Sequence, residues 1–410
     1  MINTSLNELR AVVIGLVTLL LTTGCMSKSI LNLQMGNPFA EHQWNHSASQ
    51  IELPFTWYDG HIMIELTIND SQPLQFAFDS GASATVLFET NRTSKMKLSV
   101  NNTLDLAGST VNLIDNTSVK VGNVHIENLT IIHVPIDQSP LFRSFDDAYF
   151  DGAIGYDLLK HYTTKIDYQN QTVTLYKKYN IAEVTSDWKV FPIQVKGNIP
   201  YINTLLKDDL GRKTQQAFVV DTGAPDYIYI NTSMIDELSF PDAHFLGYMN
   251  NFEGEQQIKT GKIPFFEMAD TRFSNVTSHD LPQFKDNHGV GLIGSGLLRK
   301  FDVIFDYQTE LMAFKRAKHW QNQTAIDRSG LKMEPHINGG IVISVAENTG
   351  AHQLALQSGD VVTHIDNNAI SSDNFDSLRL LLSSNAKSVG ICWERDTKSR
   401  CGELILASRL

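Results

Sequence analysis

Two aspartates in matching local settings are the residues of this chain most suited to chemistry. Asp79 and Asp221 each follow an apolar stretch and precede a hydroxyl residue, a glycine and an alanine. Two carboxyl groups held about 3 Å apart cannot both ionise cheaply, so one keeps a proton while the other loses it. Such a pair supplies a base to activate water and an acid to protonate a leaving amine. The sequence therefore predicts a hydrolytic site at Asp79 and Asp221 that needs neither a metal nor a cofactor.

The residues after each aspartate are suited to holding two loops together. Glycine permits a close backbone approach that a side chain would block. Hydroxyl groups can hydrogen-bond from one loop to the other. One Asp-Ser-Gly or Asp-Thr-Gly triplet is weak evidence, because such triplets occur at ordinary turns, whereas two in register are much stronger. The residues predicted to support the aspartates are Ser80, Gly81, Ala82, Thr222, Gly223 and Ala224.

Both aspartates belong to a longer internal repeat. Residues 76–82 return as 218–224, and residues 152–159 return as 291–298. Each copy is about 130 residues long, which is a normal domain size. Short runs of Val, Ile, Thr, Tyr and Phe separated by Gly, Asn and Asp predict many β-strands in each copy. Short helices are predicted at 156–161 and 295–300, so the predicted fold class is mainly β.

On these residues, both copies resemble retropepsin-like aspartic peptidases over about residues 50 to 316. The resemblance implies two acid-protease β lobes, residues 50–180 and 181–316, in a pseudo-twofold arrangement. Because one chain carries both aspartates, a monomer would be sufficient for endopeptidase activity on proteins or peptides. A hairpin flap is expected from each lobe, at 106–114 with Gly108 and at 248–262 with Gly254 and Gly261. The elements implied to pack beneath the loops contain Ile154, Gly155, Ile293 and Gly294.

The sequence departs from that family at two points. The second loop continues with Pro225 and Asp226, which add a rigid residue and a further carboxylate where Thr or Ser is usual. Ala82 and Ala224 lack the hydroxyl that pepsin-like enzymes place there. Without that hydrogen bond the ionised carboxylate is less stabilised and its pKa is higher. We therefore expect a pH optimum above that of gastric-type enzymes.

The last eighty residues have a different character. After a linker at 317–329, the chain contains a predicted strand at 339–345, a short helix from Gly350, a second strand near 361–366 and a helix at 374–382. This pattern resembles a bacterial-type PDZ domain at 330–410. The resemblance implies β-augmentation by a polypeptide C-terminus, whose carboxylate would be held by backbone N–H groups. The alternative is a domain that only packs against the lobes. The implied peptide-binding residues are Gly339, Gly340, Ile341, Val342 and Ile343.

The N-terminus resembles a bacterial lipoprotein signal. An apolar run at 11–21 ends in small residues before Cys25. The resemblance implies cleavage before Cys25 and lipidation of that residue, at the outer membrane facing the periplasm. Residues 26–49 lack periodicity, so we expect them to form a tether from the membrane to the first domain. The alternative is an uncleaved membrane anchor. The apolar run is shorter than the roughly 20 residues that a helix needs to span a bilayer, which favours cleavage.

Export permits a disulfide between Cys392 and Cys401. The two cysteines face each other if Asp396 and Thr397 form a two-residue hairpin turn. Two unpaired thiols are the other possibility.

The net charge of -12 argues against nucleic acid as a partner, because nucleic-acid binding depends on clustered Lys and Arg. The expected partners are a protein or peptide substrate, a polypeptide C-terminus and a membrane. Two other functions stay open: a non-catalytic peptide-binding lipoprotein, and a PDZ adaptor of an envelope complex.

Overall fold

The computed structural model describes residues 27–106, 108–139, 141–142, 144–145, 148–236, 238–251, 254–282, 284, 286–318, 327–371 and 373–407. The predicted signal peptide at 1–25, with Cys25, lies outside the described residues. The described chain is mainly β, as the sequence predicts. Its helices are short, and none of those in the described ranges is long and apolar enough to cross a membrane.

The first repeat contains twelve strands and two helices, counted with the segment that precedes it. Helix α1 is Lys28–Gln34 and helix α2 is Tyr156–Leu159. A 3-10 turn lies at Ile136–Gln138. The strands are β1 (Glu41–Trp44), β2 (Gln50–Pro54), β3 (Thr56–Tyr58), β4 (His61–Ile68), β5 (Leu74–Phe78), β6 (Val86–Phe88), β7 (Asn102–Leu106), β8 (Ser109–Val121), β9 (Val124–Val134), β10 (Gly152–Ile154), β11 (Thr163–Asp167) and β12 (Thr172–Tyr176).

The second repeat contains eleven strands and helix α3 (Ser295–Leu298), with 3-10 turns at Ile181–Glu183 and Thr232–Met234. The strands are β13 (Lys189–Pro192), β14 (Gln194–Lys196), β15 (Ile199–Lys207), β16 (Lys213–Asp221), β17 (Ile228–Ile230), β18 (His244–Asn251), β19 (Gly254–Met268), β20 (Thr271–Asp280), β21 (Gly291–Gly294), β22 (Phe301–Asp306) and β23 (Leu311–Arg316).

The two repeats have the same strand order. One sheet runs β3-β4-β5-β10-β6-β9-β8-β7 with β1 added beside β9, and the other runs β14-β15-β16-β21-β17-β20-β19-β18. Each repeat also gives three strands to a shared sheet, β13-β23-β22-β11-β12-β2. In this sheet β11 and β22 pair antiparallel, Thr164 with Phe305 and Ile166 with Val303. One apolar core, containing Phe78, Ile166 and Phe305, therefore continues through both repeats.

The segment before the first repeat is folded, so the prediction of a tether at 26–49 is wrong for residues 27–49. Helix α1 packs on β8 and β9, and β1 pairs with β9. Polar side chains hold the segment in place: Ser29 Oγ donates to Asp115 at 2.8 Å, and Asn32 Nδ2 donates to Thr130 Oγ1 at 3.1 Å. These contacts are made by short polar residues, which leave no apolar periodicity in the sequence.

The C-terminal region forms a separate sheet with its own apolar core. Its strands are β24 (Leu331–His336), β25 (Gly339–Val345), β26 (Val361–Ile365), β27 (Asn368–Ala369), β28 (Ser388–Arg395) and β29 (Lys398–Ile405), and its helices are α4 (Gly350–Gln353) and α5 (Phe375–Leu381). The strand order is β24-β25-β26-β28-β29, with β27 beside β26.

The β28–β29 hairpin carries the one cysteine pair of the described chain. Asp396 and Thr397 form its two-residue turn, both with positive φ, as a type I′ turn requires. Cys392 and Cys401 lie opposite each other with their Cα atoms 4.1 Å apart, and they form a disulfide. The bridged alternative is therefore the one observed.

Candidate active site

Reciprocal hydrogen bonds join the two aspartate loops. The Ser80 N–H donates to Thr222 Oγ1 at 2.9 Å, and the Thr222 N–H donates to Ser80 Oγ at 3.0 Å. Each hydroxyl then donates to a backbone carbonyl across the repeats, Ser80 Oγ to Val220 and Thr222 Oγ1 to Phe78, both at 2.7 Å. Both hydroxyl residues are fully buried. The N–H and hydroxyl groups of Ser80 and Thr222 all donate in this network, which therefore holds the two loops together.

Each aspartate lies against the glycine of the opposite loop. A Cβ added to Gly223 would stand 2.3 Å from the Asp79 carboxyl carbon, and one added to Gly81 would stand 2.8 Å from that of Asp221. No side chain fits between these groups. The two glycines are therefore what permits Asp79 and Asp221 to face each other at hydrogen-bonding range.

The carboxyl pair is held by backbone donors and is partly buried. Gly81 and Ala82 N–H groups donate to Asp79 Oδ1 at 2.8 and 3.1 Å, and the Gly223 N–H donates to Asp221 Oδ1 at 2.8 Å. Burial raises the pKa of Asp79. Burial together with the neighbouring charge of Asp79 raises the pKa of Asp221 well above its ordinary value of 3.8. The pair therefore shares a proton over a range of pH in which single aspartates are ionised.

The Ile-Gly elements lie directly beneath the loops. Ile154 pairs in parallel with Phe78, and its carbonyl accepts from the Asp79 N–H at 2.9 Å. A Cβ on Gly155 would meet the Asp79 carbonyl oxygen at 1.9 Å. The second repeat matches this: Ile293 pairs with Val220, and a Cβ on Gly294 would meet a loop carbonyl at 2.3 Å. Because these glycines have no side chain, the end of each strand packs directly against the aspartate loop above it.

The first loop is anchored further on by a buried carboxylate. Asp157 of α2 accepts from the Thr85 N–H at 2.9 Å and from Thr85 Oγ1 at 2.7 Å. Its other oxygen accepts from Asn37 Nδ2 at 3.0 Å. Thr85 and Asp157 are nearly inaccessible to solvent. The folded N-terminal segment thus reaches the active-site loop through Asn37.

The second loop is supported differently, where the sequence departs from the family. Pro225 lies against Gly60 of the β3–β4 turn, at which a Cβ would be 2.6 Å from the proline ring. The Asp226 carboxylate lies 3.1 Å from His279 Nε2, and it is about half exposed, at 49%. Burial by itself would raise the pKa of Asp226. The opposite effect of His279 and of the more distant Lys332 and Arg379 is larger, so the pKa of Asp226 is lowered. Asp226 is therefore an ionised group beside the dyad.

A cavity of about 860 Å³ opens at the dyad. Its lining includes Asp79, Asp221, the β3–β4 turn and side chains of β18 and β19 from the second predicted flap. Gly108 lies at the tip of the β7–β8 hairpin with φ +86, but the described residues of that tip do not line the cavity. Gly254 begins β19 and pairs with Asn251 of β18. The prediction that Gly261 forms a tip is wrong, because it pairs with His244 and Ser278 within the sheet.

The predicted peptide-binding strand is also corrected. Residues 339–343 lie in β25, which pairs with β24 on one side and with β26 on the other. In addition, the Val342 N–H donates to the Asp360 carbonyl, and the Gly359 N–H donates to the Val342 carbonyl. A strand occupied on both sides cannot accept a further strand. The edge of this sheet is β24, so Gly339, Gly340, Ile341, Val342 and Ile343 do not form a β-augmentation site.

Several contacts of the site were not anticipated from the sequence. The Tyr307 hydroxyl donates to the Ser80 carbonyl at 3.3 Å, and Ser295 Oγ donates to the Thr222 carbonyl at 2.7 Å. Ser295 lies in the repeated segment 291–298, and Tyr307 lies in 305–308, which repeats residues 166–169. The internal repeat was therefore the available signal for both. Asn37 and His279 had no such signal.

The fold and site together define a mainly β chain with two repeats that bring two carboxyl groups to one centre. No protein-family model matches the chain, and no curated protein matches it.

Proposed function

We propose that this chain is an aspartic endopeptidase, in which Asp79 and Asp221 share one proton and activate a water molecule for attack on a peptide carbonyl. The observation that supports this most strongly is the set of reciprocal hydrogen bonds between the two aspartate loops, which keeps two partly buried carboxyl groups in contact. Holding such a pair costs stability, because burial disfavours charge. A binding scaffold has no need of that arrangement.

In this proposal residues 50–180 and 181–316 are two retropepsin-like lobes in a pseudo-twofold arrangement, followed by a PDZ-like domain at 330–410. The same strand order in both repeats supports the paired lobes. The ionised carboxyl group takes a proton from water as the water oxygen attacks the peptide carbonyl carbon, and the protonated one donates its proton to the carbonyl oxygen. The first group then gives the proton it took to the leaving amine as the C–N bond breaks, and the second group recovers its proton from a hydroxyl of the tetrahedral intermediate. Tethering to the outer membrane through a lipid on Cys25 remains part of the proposal.

The test is cleavage of a diverse peptide library by the form lacking residues 1–25. We expect the Asp79→Asn and Asp221→Asn variants each to lose about a thousandfold or more in kcat/KM, because each removes half of the acid–base pair. Asp70→Asn, which alters an exposed aspartate of the first repeat, is the matched control. Peptide binding without cleavage by the parent would favour the non-catalytic binding protein. Cleavage that survives both dyad substitutions would place the chemistry elsewhere.

A further inference from the structure

Helix α1 buries two polar side chains and leaves apolar ones exposed. Its buried residues are Ser29 and Asn32, which donate to side chains of β8 and β9. Leu31 and Met35 lie one turn apart on a different side of the helix and are 42% and 56% exposed. A helix packed on a globular core normally buries its apolar residues and exposes its polar ones. The outward side of α1 is therefore an apolar surface that the rest of the described chain leaves uncovered.

Phe39 extends this surface past the end of the helix. The chain turns back there, since the Asn37 N–H donates to the Asn32 carbonyl at 2.7 Å. Phe39 is thereby held near the end of the helix, and it is 68% exposed. Of the thirteen large apolar side chains that are exposed in the described chain, three thus fall within nine residues, whereas exposed apolar residues that stand singly are ordinary. The N-terminal patch is Leu31, Met35 and Phe39.

The segment that carries the patch is bonded to both repeats. Lys160 Nζ of the first repeat donates to the Gly36 carbonyl at 3.1 Å. Asn198 Nδ2 of the second repeat donates to the Leu33 carbonyl at 3.5 Å. No residue of the described segment 27–49 lines the cavity at the dyad. A surface bound at the patch would therefore orient both repeats and leave the cavity lining free.

The sequence places the patch next to the predicted lipid anchor. Cys25 stands two residues before Ser27, which is the N-cap of α1. Two residues of fully extended chain span at most about 7 Å. Acyl chains on Cys25 would lie in the bilayer, so α1 would begin at the level of the lipid headgroups. The occupant that this spacing favours for the patch is the membrane that holds the anchor.

The charge of the segment also suits a lipid surface. Apart from its histidines, the charged side chains between residues 27 and 49 are Lys28 and Glu41. Lys28 is exposed at the start of α1, where an ammonium group can meet an anionic headgroup. The helix Lys28–Gln34 contains no acidic side chain. Because few charges lose water as this surface approaches a bilayer, the cost of that approach is low.

We propose that Leu31, Met35 and Phe39 insert into the lipid surface beside the anchor, so that α1 docks the protein on the membrane in one fixed orientation. The depth of insertion is that of interfacial helices, whose apolar face enters the boundary between headgroups and acyl chains. This inference rests on the proposed lipid tether at Cys25 and is independent of the peptidase chemistry.

The first test replaces the lipid with a tether of known chemistry. A hexahistidine tag takes the place of residues 1–25 and is held on vesicles of phosphatidylethanolamine, phosphatidylglycerol and a nickel-chelating lipid. An environment-sensitive fluorophore is attached to the cysteine introduced as Met35→Cys, since Cys392 and Cys401 are joined in the disulfide. We expect the emission to shift to the blue on tethering and to be quenched by doxyl-labelled lipids, because the label enters the bilayer.

The matched control labels are introduced as Leu210→Cys and Ile337→Cys, at apolar residues of the second repeat and the C-terminal region that are 76% and 70% exposed. We expect both to keep the emission of a label in water. A water-like label at Met35→Cys, or equal shifts at all three positions, would overturn the inference. A shift without vesicles that grows with protein concentration would also overturn it and would assign the patch to a second copy of the chain.

The second test removes the apolar neighbours of the label. Burial of one large apolar side chain in lipid favours the inserted state by about tenfold or more. In the labelled Met35→Cys chain, we expect Leu31→Gln together with Phe39→Gln to shift the balance between inserted and water-exposed label about a hundredfold toward water. Leu210→Gln should leave that balance unchanged, and far-UV circular dichroism checks that each variant is folded. An inserted label in the double variant would contradict the assignment of the patch.

Mass spectrometry of the full chain extracted from bacterial membranes separates this inference from the tether on which it rests. An acylated N-terminal Cys25 combined with a water-like label would leave the tether standing and overturn the patch alone. An unmodified Cys25 combined with an inserted label would overturn the tether and leave the patch standing. Neither result depends on whether the chain cleaves peptides.

Discussion

The two active-site loops share their catalytic contacts but differ in what supports them. In the first repeat, Asp157 anchors Thr85 through two hydrogen bonds. The corresponding residue of the second repeat is Gly296, where a Cβ would meet the Asp226 backbone at 2.8 Å. The second loop thus has no carboxylate at this position to hold it. Instead, Pro225 of this loop packs against Gly60, and Asp226 pairs with His279.

The difference shows which parts of the repeat are free to diverge. The hydroxyl and glycine contacts of the dyad are the same in both halves, because each loop is held by the hydroxyl group of the other loop and each carboxyl group lies against the glycine of the other loop. The outer supports depend on neighbours that differ. A folded N-terminal segment lies beside the first loop. The β3–β4 turn lies beside the second loop, and the Gly60 N–H of that turn donates to Asp376 of helix α5. The second half-site is therefore connected to the C-terminal region through the β3–β4 turn.

The largest effect is expected where the halves are most alike. Gly223→Ala and Gly81→Ala each force a methyl group into the opposing carboxyl group, at 2.3 and 2.8 Å respectively. We expect about a thousandfold loss of kcat for Gly223→Ala and a smaller loss for Gly81→Ala, measured on a common peptide. Gly390→Ala is the control, because the nearest atom to a Cβ added at Gly390 would be 3.6 Å away. Near-normal rates in both variants would show that the carboxyl groups do not meet as described.

The second prediction concerns the unequal supports. Asp157→Ala leaves the Thr85 N–H and Asn37 amide buried without their acceptor, so we expect a loss of about 3 kcal/mol in the free energy of unfolding. Asp226→Ala removes a half-exposed carboxylate, and we expect less than about 1 kcal/mol. Urea unfolding of both variants measures the difference. Equal losses would remove the distinction between the two loops.

The third and smallest effect is the pH dependence of the shared pair. The pair is active while it holds one proton, and the pKa values of both groups are raised above the ordinary value of 3.8. As pH falls through the lower apparent pKa, the second proton binds and the base is lost; as pH rises through the upper one, the acid is lost. We expect a rate maximum above pH 3.8 and roughly a tenfold or larger decrease by pH 2. A maximum near pH 2 would contradict the raised pKa values.

Much of the centre of this molecule follows from the sequence. The repeat around Asp79 and Asp221, the strand-forming composition, the two short helices and the turn at Asp396 and Thr397 are all local patterns. Local patterns are readable because the periodicity of a strand, or the φ that a turn requires, depends on the residues in it. The same reasoning pointed to Cys392 and Cys401 as facing residues.

What the tertiary structure alone decided is which elements are neighbours. The chain at 27–49 is anchored by isolated contacts of Asn32 and Asn37, which no period reveals. Whether β25 or β24 is the free edge depends on the order of strands in a sheet, and residues 339–343 read equally well in either position. The link from Arg379 to Asp59 joins residues far apart in the chain. Such long-range contacts arise from the packing of whole sheets, so a sequence read segment by segment does not contain them.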